Sequence, residues 1–191
     1  MNRGIIAISS GLGWESIITP MARLLADSGY GTEIIESESE ASDFEKALKN
    51  GTFRAVLDLV TADLLHSRKG PNRLTTAAIH ALPQIISVGG LDFNTEHNSE
   101  ATPEDMDRIG KDLVEKACAA RGPTRIVIPR NGLSNRPQNP ALNEALFQTV
   151  RNRVYPPEML VEVDTSIQEG EFAKTAVNLL ITLIAESETA K

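Results

Sequence analysis

Apolar residues recur along the chain with two alternating periods. Short runs rich in Ile, Val and Leu, each four to six residues long by count, lie over 4–9, 33–36, 54–59, 84–88, 124–128 and 159–163. Such lengths and β-branched content predict strands. Between them, apolar positions repeat every three or four residues. Trp14, Ile17, Ile18, Met21, Leu24 and Leu25 predict one buried face of a helix over 14–28, stopped by Gly29 and Gly31. Further helices are predicted over 42–50, ending at Gly51, and over 73–81, ahead of Pro83. Thr102, Pro103 and Glu104 supply an N-cap, a first-turn proline and an acidic first turn, and Met106, Ile109, Leu113 and Ala117 form the stripe that follows. Helices over 140–153 and 169–185 complete the pattern, the last burying Phe172, Ala176, Val177, Leu180, Leu183 and Ile184.

Six strand-then-helix units predict an α/β fold. Parallel neighbours need crossover connections, and helices supply them. The expected architecture is therefore a single three-layer Rossmann-like or flavodoxin-like domain over residues 1–191, with a mostly parallel sheet of about six strands. Aromatics make up only 4% of the residues, so aliphatic side chains must fill the core. No internal repeat or low-complexity linker interrupts the pattern.

Charge narrows the partners. A formal net charge of −7, with Lys and Arg scattered, disfavours nucleic acid as the main partner. No apolar run approaches the roughly 20 residues of a membrane helix, and the N-terminal apolar stretch is too short for a signal peptide. The lone cysteine, Cys118, excludes an internal disulfide and is expected to be a buried structural thiol. Together these features predict a cytoplasmic protein.

In an open parallel sheet, ligands bind beyond the carboxyl ends of the strands. That rule selects the candidate residues. Ser10 and Gly11, within Ser9-Ser10-Gly11-Leu12-Gly13 after the first strand, form either a close-approach turn for an anion or a tight turn with no ligand. Asp58 ends the third strand, as a site residue or a loop cap, with Thr61 and Asp63 beyond it. Gly90 and Asp92 follow the fourth strand, where the glycines serve a turn and Asp92 projects into a cleft. Arg130 and Ser134 follow the fifth strand. Arg130 serves either as a fork for a carboxylate or phosphate or as a surface ion-pair partner. His66, His80 and His97 lack metal spacing, and no GxSxG elbow occurs, so catalytic residues and any metal are left unassigned.

The motifs GTFRAVLDL at 51–59, GPNRL at 70–74 and PQIISVGGLD at 83–92 stand in one order, with Thr102-Pro103-Glu104, Pro129, Gly132, Ser134 and NPALNEALF at 139–147. In that order they resemble the C-terminal α/β region of the ATP-binding family that includes the tomato mosaic virus resistance protein. The resemblance implies the second of two Rossmann-like lobes, with Arg73 reaching into the cleft from GPNRL, and ATP as a cofactor. The chain departs from that pattern at Glu36-Ser37-Glu38-Ser39-Glu40, whose charges repel phosphate, and in the short stretch between Asp92 and Thr102.

The functional expectation is a small-molecule-binding or enzymatic lobe that works with a copy of itself or with a separately encoded partner lobe. The alternatives are a noncatalytic oligomerisation module and a direct nucleotide-binding protein.

Overall fold

The computed structural model describes residues 3–10, 13–36, 46, 50–59, 77–91, 93–94, 99–137 and 139–189. Six strands form one sheet: β1 (Ile5–Ser10), β2 (Gly31–Glu36), β3 (Phe53–Asp58), β4 (Gln84–Ser87), β7 (Thr124–Pro129) and β8 (Leu160–Val163). Their order is β2-β1-β3-β4-β7-β8, and every pairing is parallel. The expected α/β fold and Rossmann-like sheet are present, and the sheet is wholly rather than mostly parallel. Strand limits agree with the sequence reading to within about two residues. A two-residue antiparallel pair, β5 (Phe93–Asn94) with β6 (Ser99–Glu100), lies in the connection after β4 and was not foreseen.

Alternation along the strands divides the core between the two faces. Ile6 and Ile8 of β1, with Ala55 and Leu57 of β3, pack under α1 (Glu15–Asp27) and α4 (Gly170–Thr189). Ile86, Ile126 and Ile128 pack under α2 (Pro103–Cys118) and α3 (Pro140–Arg153) on the other face. All the stripe residues anticipated for α2 and α4 are buried.

The start of α2 follows from its sequence. Asp105 N–H donates to Thr102 Oγ1 at 3.1 Å, and Thr102 N–H donates back to Asp105 Oδ2 at 3.0 Å, with Pro103 where no helical N–H is needed. These bonds from Thr102 hold the Asp105 carboxyl below the usual aspartate value. Asn139 caps α3 in the same way, its Oδ1 accepting from Leu142 N–H at 3.3 Å.

Cys118 corrects an expectation. It is exposed, and its Sγ donates to the Tyr155 carbonyl at 3.3 Å. The buried stripe of α2 ends at Ala117, and one further residue rotates the side chain about 100° around the helix, off that stripe. Only residues 77–79 of the helix expected over 73–81 are described as helical, and they end in a half-buried His80 and in Ala81 at φ 56°. The helix expected over 42–50 lies outside the described residues except for positions 46 and 50. Among the described residues no helix is long and apolar enough to cross a membrane.

Candidate functional site

The connection from β1 runs through α1 to β2 on one side of β1, whereas β3, β4, β7 and β8 succeed one another on the other side. Adjacent strands whose chains leave in opposite directions open a crevice at their carboxyl ends, and here those strands are β1 and β3. Ser9 and Asp58 are paired in register at that point. Because Ile8 and Leu57 face α1 and α4, alternation turns Ser9 and Asp58 to the opposite face. Both are nearly inaccessible, at 1% and 3% exposure, and Ser9 Oγ donates to Asp58 Oδ1. A carboxylate this deeply placed needs donors, and the strand beside it supplies one.

Main-chain bonds tie the neighbouring loops into one rim. Gly89 N–H donates to Leu59 O at 3.0 Å, and Gly90 N–H donates to Leu133 O at 2.8 Å. Ile167 N–H reaches Gly132 O at 3.0 Å, and Asn131 N–H reaches Thr165 O at 3.1 Å. Gly89 sits at the meeting point of these loops. A Cβ there would lie 2.6 Å from Leu59 O and 2.8 Å from both Ile167 Cδ1 and Trp14 Cη2. Gly90 takes φ +73°, a left-handed conformation that glycine adopts without strain.

The first turn of α1 and the entry to α4 flank the rim on the face opposite Ser9 and Asp58. Ser16 Oγ donates to Gln168 Oε1 across these two segments. Gln168 Nε2 is buried and has no hydrogen-bond partner. Thr165, also buried, donates to Glu169 Oε2 at 2.6 Å and so fixes the turn into α4.

Of the residues expected at the site, Ser10, Asp58, Gly90, Arg130 and Ser134 stand at this carboxyl rim, on β1, on β3 and after β4 and β7. Gly11, Arg73 and Asp92 lie outside the described residues, as do Thr61, Asp63, His66 and His97. Arg130 does not turn toward β3. Its Nη1 is 3.0 Å from Asp164 Oδ1 and its Nε 3.8 Å from Glu162 Oε2, both on the β8 side. Glu162 is in turn held by Arg151, whose hydrogen bonds keep its carboxyl below the usual glutamate value. Of the two readings open for Arg130, this geometry is that of the surface ion pair. Ser134 Oγ accepts from Arg136 N–H at 3.0 Å and closes a local turn.

Ser9, Gly89, Ser16 and Gln168 were not singled out as site residues by the sequence reading. Ser9 had a partial signal, being a polar residue at the end of an otherwise apolar strand. Gln168 had none, because its role depends on where α1 and α4 converge. Among the described residues no three His, Cys, Asp or Glu side chains are grouped to hold a metal ion.

Comparison with known proteins decides the family. The C-terminal domain described as "Uncharacterised protein family (UPF0261) C-terminal domain" matches residues 5–106 and 95–184. The chain belongs to the UPF0261 family. A UPF0261 protein of Clostridium tetani (strain Massachusetts / E88) is 24% identical over 196 aligned positions, covering 84% of this chain and 48% of that protein. The chain therefore spans about half the length of this curated relative. Membership of UPF0261 overturns the expected ATP-binding family, and the expectation of ATP loses the resemblance on which it rested. The motifs behind it are strand ends, glycine turns and helix caps, which a parallel α/β domain places in the same order for reasons of folding alone.

Among solved structures, a LacI regulator from Lactobacillus casei is similar at 10% identity and TM-score 0.43, covering 97% of this chain and 92% of that one. A C2-type ketoreductase from a modular polyketide synthase is similar at 14% identity and TM-score 0.44, covering 84% and 38%. A GDP-L-fucose synthetase from Naegleria fowleri is similar at 11% identity and TM-score 0.42, covering 99% and 98%. Likenesses this distant carry no argument about what this UPF0261 chain does.

Proposed function

We propose that the chain is a small-molecule-binding lobe whose site is the crevice between the carboxyl ends of β1 and β3, acting with a second lobe or subunit. The observation that supports this most is the buried Ser9–Asp58 pair at the switch point. A carboxylate costs several kcal/mol to desolvate, on the order expected for a buried ion, so an apolar pair would serve folding alone at least as well. A role with a partner is supported by the length comparison, since the relative carries as much chain again outside the matched region.

A thermal-shift screen tests the site, using a panel of amino acids, organic acids, sugars and nucleotides with magnesium against the wild type and Asp58→Asn. At least one compound is expected to raise the wild-type midpoint and leave the variant unmoved. Compounds that shift both proteins equally would remove the site from this crevice. Light scattering tests self-association: a lobe that pairs with its own copy runs as an oligomer, and a strict monomer overturns pairing with a copy.

A further inference from the structure

We infer that Asn50 is a site of spontaneous deamidation, a covalent modification that the fold admits there and restrains at Asn131. The chain has two Asn-Gly pairs, Asn50-Gly51 and Asn131-Gly132. In such a pair the glycine main-chain nitrogen attacks the side-chain amide carbon of the asparagine, and no glycine side chain crowds the approach. The new C–N bond closes a succinimide ring as the glycine nitrogen gives up its proton and ammonia leaves. Water then opens one or other carbonyl of the ring, giving aspartate or isoaspartate.

The two pairs differ in what holds them. Asn50 and Gly51 are both exposed in the turn that leads into β3. Gly51 takes φ +69°, and a Cβ there would meet nothing within 4 Å, so a ring has room to form. Asn50 N–H donates to Lys46 O at 3.0 Å, on the side away from the reacting peptide, and strand pairing begins only at Phe53. The Asn131-Gly132 peptide is instead clamped from both sides. Asn131 N–H donates to Thr165 O at 3.1 Å, Gly132 O accepts from Ile167 N–H at 3.0 Å, and the buried Gly132 bridges to Ser166. Cyclisation turns the torsions that lie between those two bonds, so the clamp must open first. Either product at position 50 adds a negative charge to an already acidic chain. Isoaspartate also lengthens the main chain by one atom just ahead of β3.

Peptide mapping by mass spectrometry of the native chain, aged at mildly alkaline pH, tests the inference, with isoaspartyl methyltransferase labelling as a second readout. The Asn50 peptide is expected to convert about tenfold or more faster than the Asn131 peptide, the factor set by main-chain bonds that must break first. In urea the two rates are expected to converge, because the clamp is gone. Asn50→Gln, whose longer side chain must close a larger ring, is expected to abolish the signal at position 50 and leave that at Asn131 unchanged. Equal rates in the native chain, faster conversion at Asn131, or no conversion at Asn50 would each overturn the inference. A difference that persists in urea would overturn the role of the fold.

Discussion

Ser9 and Asp58 are partners on adjacent parallel strands, the hydroxyl of one donating to the carboxylate of the other where β1 and β3 part. Removing the donor leaves a buried acceptor short of a bond. Ser9→Ala is expected to cost about 1–3 kcal/mol, the range for stranding a buried polar group. For a chain of this size each kcal/mol lowers the melting midpoint by about 2–4 °C. Urea unfolding followed by circular dichroism measures it, and an unchanged midpoint would show that the bond contributes nothing.

Gly89 and Gly170 make opposite predictions for the same change. Gly89→Ala places a methyl group 2.6 Å from the Leu59 carbonyl oxygen, a contact that backbone must yield to relieve, whereas a Cβ at Gly170 meets nothing within 4 Å. The first is expected to destabilise by about 1–3 kcal/mol through overpacking. The second is expected to be neutral or to stabilise by up to about 1 kcal/mol. Denaturation midpoints of the two variants should move in opposite directions or differ by more than about 1 kcal/mol.

Acid should reveal the cap of α2. Hydrogen bonds from Thr102 lower the Asp105 pKa in the folded chain, so its stabilising contribution is fully present above the usual aspartate range. It is lost as pH falls through the lower folded value. Asp105→Asn is expected to cost about 0.5–1 kcal/mol at neutral pH and close to nothing once the wild-type carboxyl is protonated. Urea unfolding at both ends of that range checks the difference, and an equal cost in acid would reject the role of the charge.

Cys118 should react in the native protein. Its exposed position at the end of α2 predicts stoichiometric labelling by Ellman's reagent without denaturant. Labelling that required urea would restore the buried thiol inferred from the sequence.

Much of this architecture was legible because each element announces itself locally. The apolar runs and the Thr102-Pro103 start are determined by residues within a few positions of one another, and they agree with the observed strands and with α2. Asp58 was legible as the polar end of an apolar strand. Its pairing with Ser9 was not, because register between β1 and β3 depends on long-range packing. Arg130 was open between two roles in the sequence. Its place after β7 was right, but the direction of its side chain is set by Glu162 and Asp164 on the neighbouring strand and loop. Short turn and cap motifs misled about ancestry for the same reason that they were reliable about folding.

The loops at the carboxyl rim are joined to each other through main-chain atoms, from Leu59 through Gly89 and Gly90 to Leu133, and from Gly132 to Ile167. Exchanging the side chains borne by those loops, at positions other than Gly89 and Gly90, leaves the seam itself unbroken. Selectivity can therefore drift between related proteins while the frame that presents it keeps its shape.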